Sequence, residues 1–225
     1  MPRLSRTAVV DAALDVAYRH GLDSLTIRKI ATELDVSPMA IYWHVKNKDE
    51  LLDAMGDRVC QDLALTVDPA APWWQQLRTV LEDFMRALRA HPGAADIVVP
   101  RMLFSPNSRE AMELALKALG EAGFSLPDAT QLARHGVRVA ISLITEPLFT
   151  GPLSNAVEVE PERRAHVEQE VASTMESLDP EEFPNILASA EHLGDPTSRP
   201  AFEKLGLETY IAGVRALADD RDISS

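Results

Sequence analysis

The chain has 225 residues, 46% of them hydrophobic and 25% charged. That balance suits one large domain, or a small one plus a medium one, with a core that needs no staples; it excludes a mainly disordered chain. A net charge of −13 excludes a surface that coats nucleic acid over its whole extent. The charge is uneven. Residues 1–48 hold seven Lys and Arg against five Asp and Glu, so the excess acid lies beyond Lys48. A basic segment on an acidic chain directs attention to a nucleic-acid module at that end. Cys60 stands alone, Met1–Val10 carries no secretory pattern, and a reducing, cytoplasmic setting is expected. The best apolar run, Val137–Phe149, is too short to span a bilayer and is cut by Glu146-Pro147, so no membrane partner is expected.

The pattern reads as helical nearly throughout. Val10, Ala13, Leu14, Ala17 and Tyr18 mark a first helix stopped at Gly21. Thr26 caps a second, with Ile27, Ile30, Ala31 and Leu34 inward, and Asp35-Val36 breaks it. Ser37 caps a very short third helix with Pro38 at its first position and Ile41 and Val45 inward. Asn47 and Glu50 form a capping-box pattern opening a longer helix, expected to connect onward to Val67. Asp68–Pro72 is the expected domain boundary, dividing a head of residues 1–67 from a body of residues 72–218. Leu77, Val80, Leu81, Phe84, Met85 and Leu88 then form a regular stripe that ends at His91-Pro92-Gly93. Met112, Ala115, Leu116 and Leu119 mark the next helix, stopped at Gly123, and another begins at Leu126-Pro127-Asp128. Its stretch Gly136–Phe149 is apolar nearly all round, which implies burial on more than one side. Gly151–Pro161 reads as a loop, Glu162–Leu178 as a polar helix, and Asp179–Pro200 as a proline- and acid-rich segment with a turn of helix at Ile186–His192. Phe202–Leu217 is the last helix, and 219–225 is expected to be a disordered tail.

Thr26–Leu34 and Ser37–His44, separated by a tight turn, have helix-turn-helix dimensions. In that design the first helix crosses the DNA backbone and the second enters the major groove. Ser37, Pro38, Met39 and Ala40 supply the small or uncharged first turn that close approach to base edges requires. Met39 and Ala40 suit thymine methyls, and Ser37 suits a base or phosphate. Tyr42 and His44 suit phosphate, as does Lys48 at the start of the next helix and Thr26 with Arg28 at the start of the second. Trp43 is read as largely structural.

The runs Leu25–Ala31, Val36-Ser37, Ile41–Lys48 and Leu51-Leu52 resemble the DNA-binding domain of the tetracycline-repressor (TetR) family. The resemblance covers about the first 60 residues. It continues more loosely in the helix lengths of the second half, in the Phe202-Glu203 opening of the last helix and in Val137–Phe149. It implies an all-α fold: a three-helix DNA-binding head and a helical ligand-binding and dimerisation body. The implied protein is a homodimeric repressor that binds a palindromic operator in double-stranded DNA and is released by a small-molecule effector. By that resemblance the DNA contacts fall on Thr26, Arg28, Ser37, Pro38, Met39, Ala40, Tyr42, His44 and Lys48. Two departures stand out. Asp35 occupies a turn position where the family usually has glycine, and Met39-Ala40 give the groove-facing turn a character of its own. Ala64 stands where a polar drug contact is expected, so tetracycline is not the expected effector.

An effector pocket is expected along Phe84, Met85 and Leu88, with Met102, Leu103, Phe104 and Leu116 lining the same space. His135 and Arg138 are rare polar groups on an apolar helix. They either cap loops and bond an interface or orient an acidic or carbonyl-bearing ligand. Val139, Leu143, Tyr210, Ile211 and Val214 are expected at a four-helix interface with a second copy. No cofactor or metal is expected, because the histidines are scattered without ligand spacing. An enzyme using Glu146, His135 or Asp128 is a rival reading, weakened by the lack of a nucleophile elbow or phosphate loop. A second rival is an interaction module whose helix-turn-helix has lost DNA.

Overall fold

The computed structural model describes residues 4–91, 105–145, 169, 173–193 and 199–222. Among these, all regular structure is helical. Helix α1 (Arg6–His20) starts at Ser5, whose hydroxyl accepts the Ala8 amide at 3.1 Å. It stops at Gly21, which takes φ 76°, a value side chains resist. Helices α2 (Ile27–Glu33), α3 (Pro38–Tyr42) and α4 (Lys48–Gln61) complete a small bundle with it. Val9, Val16, Leu25, Ile30, Ile41 and Met55 fill its centre.

The body is built around α5 (Trp73–Ala90). Leu77, Val80, Leu81, Phe84, Met85 and Leu88, the stripe expected from the sequence, are all buried. Helices α6 (Pro106–Glu121), α7 (Leu126–Thr145) and α9 (Arg199–Asp222) surround α5; α8 (Pro184–Leu193) lies before α9 in the chain. Two ion pairs tie α9 to α5: Arg78 grips Glu208 with both terminal guanidinium nitrogens, and Arg89 meets Glu203 at 2.6 Å. Arg215 lies 4.6 Å from the ring centre of Trp74 in a cation–π contact.

Two expected boundaries are corrected. The connecting helix ends at Gln61 rather than continuing to Val67. Asp62 caps it, the Leu63 and Ala64 amides turn back to the Cys60 and Asp62 carbonyls, and other helices hold the chain beyond. Asp83 of α5 accepts the Thr66 amide at 2.7 Å and its hydroxyl at 3.1 Å, and the Asn107 side chain donates to the Leu63 carbonyl at 3.4 Å. A side-chain acceptor on another helix cannot be seen in local periodicity. At the other end, α9 runs to Asp222, past the expected start of a tail at 219, because Ala218 is still buried against the body. The pocket residues Met102, Leu103 and Phe104, Glu146, and the loop Gly151–Pro161 lie outside the described residues. Of the polar helix expected at Glu162–Leu178, residues 173–177 are described and are helical.

The head and body also meet through Asp62. His91 Nε2 lies 3.0 Å from its Oδ2, and Arg58 bonds its Oδ1 at 2.6 Å and Asp11 of α1 at 3.1 Å. Partial burial alone would raise the Asp62 carboxyl, but the His91 and Arg58 bonds outweigh it and hold the group below the usual carboxylate range.

Helices α7 and α9 approach unusually closely. A side chain at Gly136 would run into the Tyr210 ring, and one at Gly206 into Leu143. Tyr210 donates to the Leu132 carbonyl at 2.7 Å, and burial pushes its phenol up to about 12. Folding therefore favours the protonated phenol. This contribution to stability is complete below about pH 10, where the unfolded phenol titrates, and is lost as pH rises towards 12. A spectrophotometric titration of native protein is expected to show a late phenolate step that Tyr210→Phe removes. Loss of no late step in that variant would refute the assignment.

Candidate nucleic-acid interface

Each part of the helix-turn-helix is fixed by a local bond. The Thr26 hydroxyl accepts the Lys29 amide at 3.2 Å, opening α2 and leaving Arg28 and Lys29 exposed on its first turn. At the other end the Asp35 amide donates to Thr32 and the Val36 amide to Ala31, at 3.2 and 2.9 Å. This is a Schellman close, which needs a left-handed residue at its centre. Asp35 supplies it with φ 51°. Aspartate in that conformation costs on the order of 1 kcal/mol against glycine. Asp35→Gly is therefore expected to raise the melting temperature by about 2–4 °C. An unchanged or lower value would show that the turn carries no strain.

The Ser37 hydroxyl accepts the Ala40 amide at 3.3 Å, and Pro38 opens α3. Ile41 is fully buried and anchors the helix, which turns Pro38, Met39 and Tyr42 outward. Ala40 and His44 are half-buried. Trp43 is 84% exposed. Its expected structural role is thereby corrected: it follows α3 as its C-cap and faces solvent, because Ile41 and Val45 already fill the inward positions. No periodicity argument gives the direction of a residue at the end of a five-residue helix.

Asn47 accepts the Glu50 amide at 2.8 Å and opens α4. Glu50 reaches back to the Lys46 amide at 2.9 Å and to Arg6 of α1 at 3.4 Å. These bonds set the loop between α3 and α4, so that Lys46 and Lys48 stand exposed beside the exposed side of α3. The cations Arg28, Lys29, Lys46 and Lys48 are thus exposed at or beside the capped starts of α2 and α4. Such a placement attracts phosphate through charge and free amides together.

Phe84, Met85 and Leu88 are packed in the core, and Leu116 is half-buried. His135 and Arg138 are exposed, although expected on a buried stretch; His135 stands 5.9 Å from the Tyr210 ring, centre to centre. Between α5 and α9 lies an open groove of about 360 Å³ whose walls include Glu82, Arg86, Arg89, Lys204 and Leu207, with Met85 the one expected pocket residue among its lining. Leu143, Tyr210, Ile211 and Val214, expected to meet a second copy, are buried inside the subunit, and Val139 is half-buried. They are consumed in packing α7 against α9 and α5. No group of three or more potential ligands for a metal occurs among the described residues, and no described helix is long and apolar enough to cross a membrane.

A capped helix-turn-helix head on a larger all-helical body defines a regulatory DNA-binding class of protein. Residues 9–55 match the family model described as bacterial regulatory proteins, tetR family, and residues 67–218 match the tetracyclin repressor-like C-terminal domain. The chain belongs to the TetR family of regulatory proteins. It is 37% identical over 135 residues to a class D tetracycline repressor protein of Escherichia coli, a match covering 57% of this chain and 59% of that one. The match to an HTH-type transcriptional repressor, DrrR1, of Streptomyces coeruleorubidus is 27% over 229 residues, covering 98% and 80%. The crystal structure of the Streptomyces coelicolor TetR family protein ActR in complex with actinorhodin superposes with a TM-score of 0.67 at 26% identity, covering 96% of this chain and 97% of that one. The chain spans little more than half the length of several curated relatives it matches.

Proposed function

We propose that this chain is a homodimeric transcriptional repressor that binds a palindromic operator and leaves it when a small molecule enters the body. The observation that carries this reading is the head: three capped helix starts in succession, with Thr26, Arg28, Ser37, Pro38, Met39, Tyr42 and Lys48 each exposed and Ala40 and His44 half-buried. Each head enters one major groove, and two heads at fixed spacing read two half-sites. The acidic remainder of the chain repels DNA elsewhere, which confines binding to the heads. ActR's complex with actinorhodin supports a small-molecule effector for a related body. An effector that favours the wrong spacing of heads releases DNA by linkage. The link available here is the end of α4, held to α5 and α6 through Asp62, Thr66 and Leu63.

Dimerisation is assigned to the outer face of α9, where Leu205, Ala212, Ala216 and Leu217 are exposed, together with Val139 of α7. Leu205→Glu is expected to yield monomers by ultracentrifugation. Ile211→Glu would instead unfold the subunit, since Ile211 is 1% exposed. The decisive experiment for the function is selection from a random pool of DNA duplexes. An enriched palindrome is the expected result; enrichment of no sequence would overturn the repressor reading.

A further inference from the structure

Three of the exposed large hydrophobic side chains fall at α3 and its cap: Met39 at 66%, Tyr42 at 48% and Trp43 at 84%. With exposed Pro38 they form a ridge, since 38 with 42 and 39 with 43 are neighbours at a spacing of four. An exposed apolar ridge on a soluble surface calls for a covering partner. The surrounding cations Arg28, Lys29, Lys46 and Lys48 name the partner's charge.

We propose that α3 reads its operator mainly through this ridge, with the C5-methyl of thymine as the group recognised and Met39 as the residue that discriminates it. This rests on the DNA-binding reading above and adds the chemistry of the readout. The bidentate readers of base edges in the major groove are Arg, Lys, Asn and Gln, with Asp and Glu accepting from cytosine, and none of these occurs from Ser37 to Val45. Ser37 spends its acceptor capacity in part on the Ala40 amide. His44 is half-buried and lies past the C-cap of the helix, away from its entering end. The thymine methyl is the apolar group that the major groove offers to Pro38, Met39 and Ala40. Trp43, at the far end of the ridge, extends the contact over the adjoining sugar and backbone.

The test uses a duplex enriched from a random pool by the full-length protein. Each thymine of both half-sites is replaced in turn by deoxyuridine, which removes the methyl and nothing else. Affinity is expected to fall about fourfold per methyl contacted, and about sixteenfold when the change is made in both half-sites. The salt dependence stays the same, because no charge is removed. Met39→Ala is expected to abolish the discrimination at one position while the others remain. If the protein binds its duplex and deoxyuridine is tolerated everywhere, or if Met39→Ala leaves every discrimination intact, the methyl readout is wrong and the repressor reading stands. If no duplex is enriched, both fall.

Discussion

Replacing Arg28 and Lys48 together with alanine is expected to weaken operator binding on the order of a hundredfold near 0.15 M salt. The logarithmic salt dependence should also become shallower by about 3–4 for a dimer, two cations being lost from each head. Both side chains are exposed. Their loss leaves the core of Ile30, Ile41 and Met55 untouched, so stability should change by less than about 0.5 kcal/mol. The two residues stand at different helix starts, α2 and α4, so their removal tests two expected phosphate contacts at once. Titrations at several salt concentrations check this. Unchanged affinity and slope would mean that the head does not use these cations on DNA, and the rival of a helix-turn-helix that has lost DNA would gain.

A second large effect is expected at Asp83. This carboxylate is 1% exposed, accepts the amide and hydroxyl of Thr66, and pairs with Arg86 at 2.7 Å. Arg86 is more than half exposed, so the ion pair itself contributes little. The bonds to Thr66 matter more, because they hold the segment after α4 onto α5 and place a charge-assisted acceptor inside the body. Asp83→Ala is expected to cost about 3 kcal/mol, a fall of roughly 6–12 °C in melting temperature. Asp83→Asn keeps one acceptor for the Thr66 amide and should cost much less. Equal losses in the two variants, measured by thermal unfolding, would assign the effect to the charge rather than to the tether.

The head was legible almost residue by residue. Thr26, Ser37 and Asn47 each stand where a side chain must accept an amide two or three residues on, and each does so. Asp35 was legible as the turn residue because the motif demands a left-handed conformation there, and its φ of 51° meets that demand. Trp43 was misread because the end of a short helix has too few neighbours to establish a period. In the body, Leu77 to Leu88 announced a buried stripe, but Tyr210, Ile211 and Val214 announced one equally well, and their partner was mistaken. Apolar spacing reports that a face is covered, and is silent on whether the cover belongs to the same subunit or to another.

Taken by itself, the order of amino acids determined the helices, their caps and the chemistry of the exposed head, since these depend on contacts within a few residues. Only the tertiary structure decided where the connecting helix stops and which apolar faces pack within the subunit. Those outcomes depend on groups far apart in the chain, such as Thr66 with Asp83, Asp62 with His91 and Gly136 with Tyr210, which meet through packing that no local pattern encodes.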